Sequence, residues 1–416
     1  MDYDRLLDGN GQEIYIDIDS LYIKPEWVNN VSHSITFPNI PIEESNPVYE
    51  TCKEMFKVFY EKGYKIITDS RLVNDNTFFF TPCLDKHINK TKDDYKNKKD
   101  LKIKSSLNEC GIFEPTSIRF PKDKFPSNLP ELPLVLKNEE SQGGTEKFII
   151  RTKGQLEKVK KFYNEINSYD RQQRINMIRE YYDDPTVEVD ENGRSNRGLS
   201  VVFIDYKKEF NKNLIFQKYI NTPTSYNTSL RVLFSSSGDI MVSSLKYSET
   251  IIKDNNKKYY GLFDKYLANS ESPFFIGNES IVSNTVAGGN SILLGKEEYS
   301  NEEKRILLAH GINPSEAVVP EEIVKACNNV ANNCSREIGA ICGMDFIYDV
   351  NEHKWKYLEE HEYPMLYSYC EKYNIPYNVN EEDFYKVNML IDIRARFDSL
   401  VLTMNKKYIN KKTKSF

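Results

Sequence analysis

Residues 343–366 read GMDFIYDVNEHKWKYLEEHEYPML, and this stretch decides how the rest of the chain is read. Two β-prone runs, MDFIY and WKYLE, flank DVNEHK, whose Asp349 and Asn351 favour a turn, so the pattern predicts an antiparallel hairpin. Across that hairpin Asp345 faces Glu359. Glu359 and His361 are two residues apart and therefore share a strand face, which lets three metal-competent groups converge on one point. Hard oxygen ligands at such a point suit Mg²⁺ holding phosphates. On these residues alone the other reading, a surface hairpin whose charges face water, stays open.

At 416 residues the chain exceeds the length of about 250–300 at which single cores stop growing, which predicts two or three cooperating domains. Charged residues make up 28% of it, hydrophobic residues 39%, and mean hydropathy is −0.61; no apolar run is long enough to cross a bilayer, so no membrane span or membrane partner is expected. The opening MDYDRLLDGN lacks the basic start and apolar stretch of a secretory signal, and a cytoplasmic location is expected. Seven cysteines form no CxxC pair, which excludes a zinc pattern or disulfide framework of recognisable spacing. Net charge is −6 with both signs intermixed, so no nucleic-acid partner is expected; the lysine-rich stretch 85–104 is interrupted by aspartates and reads as a solvated helix or loop.

Residues 1–115 read as an N-terminal α/β domain, with β-like runs such as LYIKP and YKIITDS around a helix-like NPVYETCKEMFKVFYEKGY. A helix through DLKIKSSLNEC then ends at Gly111, and Pro115 prevents its continuation. Residues 116–212 read as a central domain with a hairpin of LPLVLK and KFII around a turn containing Gly143 and Gly144, followed by a polar insertion at 166–199. Residues 213–416 carry the β-prone NLIFQKYI, SLRVLF, DIMVSSLKY and the 343–366 hairpin, plus a C-terminal helix. A further helix there has Ile323, Ala326, Cys327, Val330, Cys334 and Ile338 at helical spacing, as core residues. The fold class expected is α/β (α+β).

Four basic residues interrupt these runs. Lys137 ends a strand just before a glycine-containing turn whose backbone N–H groups suit an anion, although an ordinary hairpin tip fits as well. Lys104, alone, reads as a surface residue. Arg231 in SLRVLF points away from the face of Leu230 and Val232, and Lys246 in SSLKYS repeats the pattern one strand later. Two cations on successive strands line one groove if those strands pair; solvated outer-face positions are the alternative.

The order of these pieces, over roughly residues 85 to 370, resembles the ATP-grasp superfamily. Lys104, seven residues before Gly111 in KSSLNECGIFEP, is similar to that family's first nucleotide lysine, and Lys137 to its second. SQGGT, with Ser141, Gly143, Gly144 and Thr145, resembles the mobile loop over the β- and γ-phosphates. IFQKYI resembles the hinge that holds adenine, through Gln217, Lys218, Tyr219 and Ile220. Arg231 resembles the arginine that meets phosphate or acylphosphate, Lys246 stands where many relatives carry arginine, and Asp345 and Glu359 match the magnesium carboxylates. His361 departs from the family's Glu-x-Asn, and its imidazole suits either a metal or a substrate contact. Asn290 is a candidate for a substrate loop.

The resemblance implies an N-terminal α/β domain followed by two α+β subdomains clasping ATP, with ATP and Mg²⁺ as cofactors. It implies an ATP-dependent ligase that joins a small-molecule or peptide carboxylate to an amine through an acylphosphate, releasing ADP and phosphate. An ATP-grasp kinase or thiol ligase, and a nucleotide-binding regulatory protein without turnover, are the alternatives. Homo-oligomerisation is left open.

Overall fold

The computed structural model describes, with short gaps, residues 8–16, 55–80, 92–138, 147–160, 170–176, 213–220, 228–247, 290–334, 339–375 and 391–406. The chain mixes helices with three sheets, the α+β class expected from its sequence. The first sheet is parallel, with β1 (Glu13–Ile16) between β2 (Lys65–Ile67) and β3 (Phe78–Phe80). Helix α1 (55–61) leads into β2 and buries Met55, Phe56, Val58 and Phe59, the apolar positions recurring at three- and four-residue steps in the sequence.

The second sheet is antiparallel in the order β4-β7-β5-β6, from β4 (Ser117–Pro121), β5 (Leu134–Asn138), β6 (Lys147–Ile150) and β7 (Asn213–Lys218). The expected hairpin of LPLVLK and KFII is its β5–β6 pair, in register from Leu134↔Ile150 to Lys137↔Lys147. Strand β7 inserts between β4 and β5. A boundary between residues 212 and 213 therefore cuts this sheet, and NLIFQK belongs with the central segment rather than the last one. Nothing within a six-residue apolar run marks which distant strand will take its hydrogen bonds.

The third sheet is antiparallel throughout, in the order β10-β9-β8-β11-β12. Its strands are β8 (Thr228–Ser235), β9 (Ile240–Tyr247), β10 (Asn290–Leu293), β11 (Ile341–Asp349) and β12 (Lys354–His361). One face presents Leu230, Val232, Phe234, Leu245, Ile292, Met344 and Phe346 to α3 (Asn301–Ala309) and α4 (Glu321–Asn333). A capping box between Ser300 and Glu303 starts α3. Ile323, Ala326, Cys327 and Val330 of α4 are buried as expected, Cys334 caps its end, and Ile338 lies outside the described residues.

Helix α2 (Lys92–Glu109) contributes Ile103 and Leu107 to this same core, and Ile112 follows them. The side chains of Asn329 and Asn333 on α4 donate to the Ser106 carbonyl and hydroxyl. The helix assigned to residues 1–115 as part of an N-terminal domain is thus packed into the C-terminal core. Its apolar stripe is narrow, so the sequence identifies the helix without identifying the surface it covers. Toward one end, the opposite face of the third sheet buries Leu233, Val242 and Ile341 against α5 (Tyr367–Lys372) and against α6 (391–406) through Ile391 and Ala395. Helix α6 also packs against α1 and the turn before β2, where Phe397 meets Phe59 edge to face at 5.5 Å and the Tyr64 hydroxyl lies 3.7 Å from the Met404 sulfur. Among the described residues no helix is long and apolar enough to cross a membrane, and the described cysteines are free.

If α2 is a structural part of the C-terminal core, Leu107→Ala should lower unfolding free energy by about 2–4 kcal/mol. Leu101→Ala, on the exposed side of the same helix, should change it by no more than about 0.5 kcal/mol. Urea unfolding followed by tryptophan fluorescence, to which the core residue Trp355 contributes, distinguishes the two.

Candidate functional site

Cross-strand partners in an antiparallel sheet share a face. Arg231 pairs with Ser244 on one side and Asp345 on the other, Ser229 with Lys246, Asp345 with Glu359, and Gly343 with His361. Arg231, Lys246, Asp345, Glu359 and His361 therefore stand on one face of the third sheet, opposite Leu230, Val232, Met344 and Phe346.

Simple alternation along β12 would not produce this. Trp355 and Tyr357 point into the apolar core, and a strict period of two would send Glu359 and His361 after them. The register shifts between Phe346↔Tyr357 and Asp345↔Glu359, leaving Leu358 as an extra residue. This bulge turns the end of β12 over and brings Glu359 and His361 to the side of Asp345. The hairpin's sequence puts the three groups together, but the bulge that does so is not visible in it.

At the centre lies a buried ion pair. Arg231 Nε donates to Asp345 Oδ1 at 2.7 Å and Nη2 to Oδ2 at 2.6 Å, with both side chains 7% exposed. The planar fork matches the carboxylate, the geometry that makes arginine pairs strong and directional. Burial alone would raise the Asp345 pKa, but the charges of Arg231 and Lys246 and the hydrogen bond from His361 outweigh it and hold the group well below its ordinary value of 3.8. The outer-face reading of Arg231 and Lys246 does not survive: both are buried, because β8 and β9 lie inside the sheet with covered faces.

His361 Nε2 lies 2.7 Å from Arg231 Nη2, 3.3 Å from Asp345 Oδ2 and 3.5 Å from Glu359 Oε1. A guanidinium only donates and an ionised carboxylate only accepts, so Nε2 meets Arg231 with a lone pair and meets Asp345 or Glu359 with a proton, one role at a time. Burial works to lower the imidazole's pKa, yet hydrogen bonding to Asp345 and Glu359 outweighs it and raises the value above 6.5. One ligand atom each from Asp345, Glu359 and His361 falls within a 4.8 Å span. Two hard oxygens and an imidazole nitrogen at that spacing fit a single divalent cation.

The remaining sequence-predicted residues lie around this face or on the central sheet. Lys104 on α2 is half-buried and paired with Glu114 at 2.9 Å. The adjacent Phe113 carbonyl accepts from the Tyr357 N–H at 3.0 Å, which ties the GIFEP segment to β12. Glu114 as the partner of Lys104 is a finding of the structure alone. Lys137 is half-buried on β5, opposite Ile215 and Lys147. In the IFQKYI run Gln217 and Ile220 are buried and Lys218 is exposed, while the Lys218 and Tyr219 N–H groups donate to the carbonyls of Thr116 and Pro133. In the hairpin turn the hydrogen bond from Lys356 lowers the pKa of Glu352. Ser141, Gly143, Gly144, Thr145 and most of the insertion 166–199 lie outside the described residues. Asn290, expected in a substrate loop, is the first residue of β10.

Three serines that the sequence pattern does not single out share the same face: Ser229, Ser244 and Ser291, the last opposite Lys246. The signal for the first two is the repeated SLR and SLK, where each serine stands two residues before Arg231 or Lys246. Ser244 Oγ bonds Ser368 Oγ at 2.7 Å and fastens the start of α5 to the sheet. Gly343 acts through space rather than bonding, since a Cβ there would lie 2.7 Å from Pro364 Cβ. Its bare backbone admits the segment that follows His361.

No protein-family model matches the chain, and no curated protein matches it. Solved structures similar to it include the VanG D-Ala:D-Ser ligase from Enterococcus faecalis, at 12% identity over 73% of this chain and 60% of that one, with a TM-score of 0.30. The ATP-grasp ligase PsnB, complexed with a minimal precursor, is similar at 9% identity over 93% and 99% of the two chains, with a TM-score of 0.33. The D-alanine–D-alanine ligase from Bacillus anthracis is similar at 13% identity over the same shares, with a TM-score of 0.31.

Arg231→Met leaves a buried carboxylate without its bidentate partner and should cost about 3–5 kcal/mol in urea unfolding, whereas Arg231→Met combined with Asp345→Leu should recover most of that loss. The folded pKa of Asp345 is depressed, so the stability from its ionised form is present above the ordinary value of 3.8 and is lost as pH falls below it. The stability gap between the native chain and Asp345→Asn should accordingly narrow on acidification; a gap independent of pH would show that the ionised carboxylate adds no stability.

Proposed function

We propose that this chain is an ATP-dependent carboxylate–amine ligase that forms an amide or peptide bond through an acylphosphate. The observation that carries the reading is the convergence of two buried cations, Arg231 and Lys246, with the donor set of Asp345, Glu359 and His361 on one sheet face. Phosphoryl transfer asks little covalent chemistry of a protein. It asks that charge be neutralised and reactants aligned where water is kept out.

In this reading the acid's carboxylate oxygen bonds to the γ-phosphorus of ATP as ADP departs. The amine nitrogen then attacks the acyl carbon, phosphate leaves with its bonding electron pair, and the nitrogen loses a proton. Lys104 and Lys137 would neutralise the nucleotide phosphates, with Ser141, Gly143, Gly144 and Thr145 closing over them, and Gln217, Lys218, Tyr219 and Ile220 would receive adenine. Asp345, Glu359 and His361 would hold the metal, which the family resemblance makes Mg²⁺; when bound, it supplies charge neutralisation at the phosphate oxygens. Arg231 and Lys246 would face the carboxylate that becomes the acylphosphate. Central segment 116–212, together with β7, and the third sheet would form the two sides of the clasp, with residues 1–115 before them. Small-molecule or peptide acids and amines are the proposed substrates, and the cytoplasm the proposed location.

Incubation with ATP, Mg²⁺ and pools of amino acids and peptides should release ADP and give a new amide, identified by mass spectrometry. Glu359→Gln should reduce this turnover by about 100-fold or more with an unchanged circular dichroism spectrum. Lys137→Ala should weaken nucleotide binding about tenfold. A phosphorylated acid that accumulates without amide would favour a kinase, a thioester a thiol ligase, and ADP release at background with every pool a regulatory protein without turnover.

A further inference from the structure

Helix α3 ends at His310, whose imidazole is 1% exposed and lies on the core side of the third sheet, away from the face that carries Asp345. We propose that His310 is a proton-operated latch: while neutral it ties the end of α3 to Thr228 at the start of β8, and uptake of a proton releases that strand end before the chain unfolds. Thr228 stands three residues before Arg231, so the end that loosens belongs to the strand that carries the central ion pair. The latch sits in the core and works whatever ligand the opposite face takes.

The ring is held at both nitrogens. Nδ1 lies 2.7 Å from the Ile306 carbonyl, which only accepts, so this nitrogen carries a proton. In the neutral ring Nε2 then has a lone pair, and the Thr228 hydroxyl, 2.5 Å away on a side chain that is itself buried, donates to it. Tyr348 and Trp355 stand around the ring, with centroids 6.2 and 6.3 Å from its own. Among the described residues, Tyr348 is the titratable group that faces it from the sheet. Glu302, Lys304 and Arg305 of α3 are exposed, Glu303 is bound to Ser300, and Arg231, Asp345 and Lys356 of the packed strands stand on the opposite sheet face. An imidazolium here would gain no counter-ion, and its Nε2 would turn from acceptor to donor, displacing the hydrogen of the Thr228 hydroxyl. Burial lowers the pKa below its ordinary 6.5, with the bond to Ile306 opposing it. Because the folded value is depressed, the stability that the neutral ring contributes is complete above pH 6.5 and is lost as the pH falls below it.

The test uses the full chain without added ligand. Imidazole ¹H–¹⁵N spectra at neutral pH, assigned by comparison with His310→Gln, should show the proton of His310 on Nδ1. On acidification its signal should titrate reversibly with a midpoint below 6.5, and Trp355 fluorescence should fall at the same midpoint while the circular dichroism spectrum is unchanged. His353→Asn, in the exposed hairpin turn near Trp355, should leave both changes in place. Thr228→Val keeps the shape and removes the hydroxyl; at neutral pH it should speed amide exchange at Ser229 and Leu230 about fivefold. It should also shift the Nε2 signal of His310, which assigns that signal if His310→Gln does not fold. A proton on Nε2 at neutral pH, a His310 ring that stays neutral until the whole chain unfolds, or unchanged exchange in Thr228→Val would each overturn the latch.

Discussion

The pairing of Arg231 with Asp345 is the constraint on which the rest of the site depends. It joins neighbouring strands at the middle of the third sheet, where both side chains are 7% exposed. Burying two charges there has a desolvation cost that their attraction offsets only because the geometry is bidentate, so replacing both by a well-packed apolar pair of similar volume should cost little. The pair is therefore better understood as positioning than as glue. It fixes Asp345 in its ionised form, presents a guanidinium to His361 Nε2, and sets two cations, Arg231 and Lys246, within electrostatic reach of one carboxylate.

Around that pair, two exceptions to regular structure determine what can gather. The extra residue Leu358 reverses the facing of β12 after Tyr357, so one strand serves an apolar core with its first half and a polar site with its second. Gly343 leaves room for Pro364 to cross the sheet beside His361. Neither device is visible in hydrophobicity, since both act through where the backbone goes rather than through which side chains are apolar.

That contrast explains what was legible in the sequence. That Glu359 and His361 share a face could be read from their two-residue spacing, but their meeting Asp345 depends on the extra residue Leu358. The facing of Arg231 could be read from its apolar neighbours in SLRVLF, but its burial could not, because whether a strand is central or at an edge depends on partners far along the chain. The same limit applies to β7, whose run is equally compatible with either sheet, and to Glu114, which meets Lys104 only after a helix and a glycine turn bring them together. Local pattern determined the elements, while long-range hydrogen bonding determined their company.

Helix α2 turns this into a statement about engineering. Because Ile103, Leu107 and Ile112 fill the floor beneath the site-bearing sheet, residues 116–406 are not a portable cassette. A chain cut near residue 115 would leave an apolar trough open to water, with the carboxylates on a sheet that lacks part of its underside. A truncated or chimaeric chain that keeps the third sheet must therefore keep this helix with it.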